Sequence, residues 1–182
     1  MVYSARVKSV LQPITLTGQW DVTFQPGRMA PETAVFDSLY SFSKSTVPGI
    51  RYFAGTAVYT KRFNIPKKYL QQGTELQLNL GNVGVIASVR LNGHSLGTAW
   101  KAPYRLFIGD AAQAGENLLE VTVSNPWVNR LIGDEQPQAE KLGTATWKHW
   151  NADSPLQPAG LMGPVTIQPQ VKTILKLQKA VK

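Results

Sequence analysis

Hydrophobic and polar residues alternate with period two over several short stretches of this chain. Trp20, Val22 and Phe24 alternate with Asp21, Thr23 and Gln25, and Leu76, Leu78 and Leu80 with Glu75, Gln77 and Asn79. Ala87, Val89 and Leu91 interleave with Ser88, Arg90 and Asn92, and Leu119, Val121 and Val123 with Glu120 and Thr122. Val165 and Ile167 repeat the pattern near the end, as do Ile174 and Leu175–Leu177. Strict alternation sends one set of side chains into a core and the other into water, so each stretch predicts a half-buried strand. Turn residues separate them. Asn92-Gly93 directly after a strand predicts a type I′ hairpin, which needs positive φ at both central positions, and Gln72-Gly73, Gly81-Asn82 and Ala114-Gly115-Glu116-Asn117 mark further turns. No 3.6-residue period persists for three turns, and 134–142 has room for one helical turn that Pro137 limits. Strands spaced ~8–12 residues apart with turns between them predict an all-β fold, an antiparallel β-sandwich or jelly roll.

Two stretches alternate poorly and exceed ordinary hairpin length. Residues 26–55 hold strand-like pieces at Val35–Phe36 and Leu39–Phe42, and residues 125–164 contain Trp127, Trp147 and Trp150. Loops this long are usually functional or disordered, and the tryptophans argue against disorder in the second.

With 182 residues, one domain is expected over 1–182, its core within about 16–170 and a basic tail at 171–182. The +8 charge suggests nucleic acid, but Lys172, Lys176, Lys179 and Lys182 supply half of it. Apart from them, Lys61-Arg62 and Lys67-Lys68 are the only basic pairs, too little for a nucleic-acid footprint. A mildly basic surface suits an anionic polysaccharide equally well. The absence of cysteine excludes thiol nucleophiles, disulfides and Cys-based zinc sites. No apolar run approaches a membrane span, and residues 1–20 lack the apolar centre of a signal peptide.

The chain carries stretches seen together elsewhere. Gly55-Thr56-Ala57-Val58-Tyr59-Thr60-Lys61-Arg62-Phe63 with Pro66, Leu80-Gly81-Asn82-Val83, Leu91-Asn92-Gly93 and Gly115-Glu116-Asn117 occur in the order of the sugar-binding domain of family-2 glycoside hydrolases, which the chain resembles. Gly49-Ile50-Arg51-Tyr52-Phe53, Trp100-Lys101-Ala102-Pro103-Tyr104-Arg105 and Trp127-Val128-Asn129-Arg130-Leu131-Ile132-Gly133-Asp134-Glu135 look closer to the C-terminal domain of family-106 α-L-rhamnosidases. The resemblance implies a galactose-binding-like jelly roll serving as a non-catalytic accessory module. Members of these families carry their two catalytic carboxylates on a barrel-like domain, and 182 residues cannot hold both.

The residues agree with that absence of catalysis. Glycoside hydrolysis needs two carboxyl groups facing one bond, whereas the eleven acids are scattered. No Gly-x-Ser-x-Gly elbow or phosphate-binding glycine loop occurs. Sugar binding asks less: an aromatic ring for the C–H face of a pyranose, with Asn, Arg or backbone groups for its hydroxyls. Trp20, in an alternating strand, is assigned to the core. The candidate carbohydrate-binding residues are Trp127, Asn129, Arg130, Trp147, His149 and Trp150, followed by Trp100 and Tyr104. Asp134 and Glu135 read first as a solvated pair or partners of Arg130. With Asp153 they are also weak candidates for a structural calcium, which galactose-binding-like folds often hold and which takes oxygen ligands.

The resemblance implies plant cell-wall polysaccharide as the partner, with pectic rhamnogalacturonan foremost, and that polymer in turn implies an extracellular or periplasmic location; the chain is expected to be a monomer. The alternative is a structural domain that docks on the catalytic domain of its parent enzyme and lends Asn125 or Asp134 to the rim of the neighbouring site.

Overall fold

The computed structural model describes residues 11–142 and 149–171. Among them are twelve strands: β1 (Ile14–Thr15), β2 (Trp20–Phe24), β3 (Thr33–Phe36), β4 (Gly55–Ile65), β5 (Thr74–Asn79), β6 (Asn82–Val83), β7 (Ile86–Leu91), β8 (His94–Ala99), β9 (Arg105–Phe107), β10 (Gly115–Asn125), β11 (Leu161–Gly163) and β12 (Thr166–Val171). They form a six-stranded sheet in the order β3-β2-β4-β10-β7-β8, a four-stranded sheet in the order β1-β12-β5-β9, and a β6–β11 pair. All ladders between these strands are antiparallel, so the fold is the predicted all-β sandwich.

The alternating stretches through Ile167 lie in strands or at their ends, while Ile174 and Leu175–Leu177 lie outside the described residues. β2 reads buried-exposed from Trp20 to Phe24, and β7 does the same in the opposite phase. Asn92 and Gly93 both have positive φ, 51° and 81°, and close the β7–β8 hairpin as their sequence predicts. At the centre of the larger sheet, β4 and β10 pair along their full length, from Gly115 opposite Ile65 to Asn125 opposite Gly55. Their inward side chains meet Leu76, Leu78 and Ile167 of the smaller sheet in one core.

The stretch 26–55 departs from its expectation in part. Val35–Phe36 lies in β3, but Phe42 opens a 3₁₀ turn, Phe42–Lys44, rather than a strand. A short helix, α1 (Pro48–Arg51), follows. A second, α2 (Val128–Asp134), lies just upstream of the turn expected at 134–142. Phe42 is fully buried because it centres an aromatic cluster, its ring 5.5 Å from Phe24, 5.9 Å from Phe53 and 6.0 Å from both Phe36 and Tyr59. A lone aromatic at the mouth of a loop gives no periodic signal; its burial is a tertiary effect. Phe42→Ala removes a side chain with neighbours on every side and is expected to destabilise the fold by about 3–5 kcal/mol, read as a lowered urea midpoint.

Candidate functional site

Strand register brings the loops bearing the candidates to one end of the six-stranded sheet. Asn125 faces Gly55, Ser124 faces Ile86, Ala87 faces Ala99, and Phe24 faces Ala57. The chain therefore leaves or enters the sheet here at Phe24, Gly55, Ile86, Ala99 and Asn125. Trp100 is 69% exposed and Trp127 41% exposed, with Val85 and Ile86 exposed at the same end. A cation accompanies each ring: the Arg28 guanidinium lies 4.8 Å from the Trp127 centroid, and the Lys101 ammonium 5.7 Å from that of Trp100. β8 is two strands from β10, so the strand ends that lead to the two tryptophans lie ~10 Å apart. Tyr104 is half-buried and donates its hydroxyl to the Val85 carbonyl at 3.3 Å.

Asn129 and Arg130, read from the sequence as groups for sugar hydroxyls, both point inward. Asn129 donates to the carbonyl of Gln157 and accepts from its N–H, each at 2.8 Å. The physical reason is the chain after residue 150, which returns across the core with few strand partners before β11. Its backbone groups would be buried unmatched without side chains to meet them. Beyond Asn129, the Ala159 N–H donates to Ser41 Oγ at 3.0 Å, the Gly160 N–H to Asn125 Oδ1 at 2.7 Å, and the Leu161 N–H to Tyr59 Oη at 2.9 Å. Asn125, the residue an adjacent active site was expected to borrow, is buried and holds this segment. Gly160 passes so close, at φ 84°, that a Cβ there would sit 2.5 Å from the Tyr59 oxygen.

Arg130 and Asp134, four residues apart on α2, form a buried ion pair at 2.8 Å, with each side chain no more than 5% exposed. Their i,i+4 spacing is a helical signal that the sequence reading missed. Arg130 also donates to the Met29 sulfur at 3.4 Å, and its guanidinium lies 6.0 Å from the Tyr52 ring. α2 approaches α1 closely because Gly133 has no side chain: a Cβ would meet Tyr52 at 2.6 Å. Arg28, Met29, Tyr52 and Tyr59 thus belong to this end of the molecule; Tyr52 and Tyr59 lie in stretches that carry the family resemblance, whereas no periodicity or motif marks Arg28 and Met29.

The structure does not bring the carboxylates named for calcium together. Asp134 is neutralised by Arg130, Glu135 faces Lys141 at 3.7 Å, and Asp153 is exposed. Among the described residues no three His, Asp or Glu side chains converge. His149 is exposed and Trp150 half-buried, while Trp147 lies outside the described residues.

Two expected outcomes follow from these inward commitments. Asp134→Asn leaves a buried guanidinium without its counter-charge and should cost about 3–5 kcal/mol, whereas the double change Arg130→Met with Asp134→Leu should recover much of that loss; urea midpoints of the three proteins decide it. Burial pushes the Tyr59 hydroxyl far above the ordinary phenol range. An unfolded tyrosine ionises near pH ~10 while the native one stays protonated, so stability falls as pH rises past that point, by up to ~1.4 kcal/mol per pH unit. Tyr59→Phe should lower stability by about 1–3 kcal/mol near neutrality through the unmatched Leu161 N–H and should lack this alkaline component, as urea unfolding at about pH 8 and about pH 11 will show.

Known proteins share the sequence and the fold. Residues 34–157 match the glycosyl hydrolase 2 galactose-binding domain-like family. A candidate β-glucuronidase of Formosa agariphila is 42% identical over 198 aligned positions, which include 96% of this chain and 17% of that protein. The structure of a rhamnosidase from Novosphingobium sp. PP1Y superposes with a TM-score of 0.85 at 45% identity, covering 93% of this chain and 16% of that one. A β-glucuronidase from Bifidobacterium dentium, at 23% identity and TM-score 0.63, shares the fold over 91% of this chain and 31% of its own. The chain thus spans about one sixth of the length of the first two relatives and corresponds to a non-catalytic accessory region of glycoside-hydrolase-like proteins. The match over residues 34–157, together with the antiparallel sandwich that carries it, makes this chain a member of the glycosyl hydrolase 2 galactose-binding domain-like family.

Proposed function

We propose that this accessory module binds carbohydrate at the sheet end bearing Trp100 and Trp127, and that its polymer is an acidic plant cell-wall polysaccharide, pectic rhamnogalacturonan foremost. The observation that carries the reading is the pairing of each exposed ring with a cation, Arg28 at Trp127 and Lys101 at Trp100. A ring offers its face to the C–H bonds of a pyranose, and a neighbouring guanidinium or ammonium meets the carboxylate of a uronic acid. Relatives named as a rhamnosidase and as a β-glucuronidase support a polymer that contains rhamnose and a uronic acid. His149 and Trp150, with Trp147, are further contacts in this proposal, and such a substrate places the protein outside the cytoplasm.

A second reading has its own observation. Val85 and Ile86 are exposed aliphatic side chains at the same end, and aliphatic patches favour protein over sugar. On this reading the end packs against the catalytic part of a longer enzyme.

Affinity gel electrophoresis against rhamnogalacturonan, homogalacturonan, xylan and β-glucan at two salt concentrations separates the readings. Retardation by rhamnogalacturonan should survive the higher salt, which screens nonspecific attraction of a cationic protein. Trp100→Ala and Trp127→Ala should each weaken it ~fivefold or more, the equivalent of about 1 kcal/mol of stacking, with unchanged urea midpoints. Mobility unaffected by every polymer would discard the carbohydrate reading in favour of docking.

A further inference from the structure

Between α1 and α2 lies a cavity of about 550 Å³. Pockets that hold small ligands fall in the range of ~300–1,000 Å³. We infer that this cavity is a subsite for a neutral 6-deoxyhexose unit, a sugar of the L-rhamnose type with a methyl group at C6. The choice of sugar rests on the carbohydrate-binding reading above, but the argument for the site comes from its lining.

One part of the lining is apolar. Met29, Pro48, Tyr52 and Ala139 present a thioether, a pyrrolidine ring, an aromatic ring and a methyl group, surfaces that gain from covering a methyl group and lose from covering a hydroxymethyl group that must give up water. The polar part carries Gln136, Gln138 and Glu140, whose amides and carboxylate match hydroxyls that both donate and accept. Charge argues against an acidic unit here: Arg130 is already paired with Asp134, and Glu140 would repel a carboxylate.

Arg130 forms part of the cavity wall, its side chain 4% exposed and its guanidinium held by Asp134 and the Met29 sulfur. Two of the three non-glycine residues with positive φ among the described residues, Met29 at 67° and Gln138 at 62°, are lining residues, and backbone conformations of this kind concentrate at ligand sites. A second cavity of about 490 Å³, bordered by Arg51 and Ser154, shares Tyr52 and Gln136 with the first. The two chambers flank this pair of side chains and give room for consecutive units of a chain.

Met29 provides the test. The protein has three methionines, Met1, Met29 and Met162, and Met162 borders a different cavity beside Leu39. With the full chain labelled at its methionine methyl carbons, titration with L-rhamnose should shift the Met29 resonance saturably and leave Met162 unmoved. L-Mannose, which differs only by the C6 hydroxyl, should bind at least ~tenfold more weakly, and galacturonate should leave Met29 unshifted. Ala139→Phe, which fills the chamber without deleting a contact, should abolish the response, while Trp100→Ala should leave it intact. A silent Met29, or equal responses to L-rhamnose and L-mannose, overturns the subsite. If Met29 is silent while rhamnogalacturonan still retards the protein, the subsite falls and the module reading stands. A rhamnose-dependent Met29 shift without retardation by any polymer leaves the subsite standing and removes the polymer.

Discussion

The molecule is organised around a backbone segment that cannot satisfy itself. From Gln157 to Leu161 the chain crosses the end of the core, and four side chains supply what neighbouring strands would otherwise give: Asn129, Ser41, Asn125 and Tyr59. These four come from α2, the turn before Phe42, β10 and β4. The segment therefore ties the long loops to the central strand pair as much as it is tied by them. An unmatched buried donor costs roughly 1–3 kcal/mol, so these bonds fix where both loops lie. The aromatic cluster around Phe42 packs against the same segment, with the Phe42 N–H bonded to the Ala159 carbonyl.

This division of labour explains why polar residues in a suggestive run are poor guides to a binding face. Asn125, Asn129, Arg130 and Asp134 are spaced as a site might be, yet each is buried and occupied. Trp100 and Trp127, by contrast, bury neither ring fully and stand at the rim. In this chain the polar residues of the loop are turned inward, and exposed at the rim are two aromatic rings, each with a cation beside it.

The strands were legible because a half-buried strand writes its geometry into the sequence: Trp20 to Phe24, Leu76 to Leu80 and Ile86 to Leu91 need no partner to be recognised. The Asn92-Gly93 turn was legible for the same reason, a local backbone demand met by two residue types. What could not be read depends on distant residues. Nothing near Tyr59 announces that its hydroxyl will receive the Leu161 N–H from 102 positions away, and nothing near Met29 or Tyr52 announces α2. The helix itself was readable in hindsight from the Arg130–Asp134 spacing, but seven residues give no sustained period.

The full-length pairing of β4 with β10 bears on how the chain reaches this state. Ile65 and Gly115 close about 50 intervening residues, and bringing such ends together costs ~3–4 kcal/mol of chain entropy before any contact rewards it. The β7–β8 hairpin, closed by two residues, forms locally and carries the edge that β10 must find. Loop-closure entropy thus favours hairpin before sheet and opposes the long-range encounter, as in other β topologies of high contact order. A ribosome would have to release β10 before this module could acquire its centre.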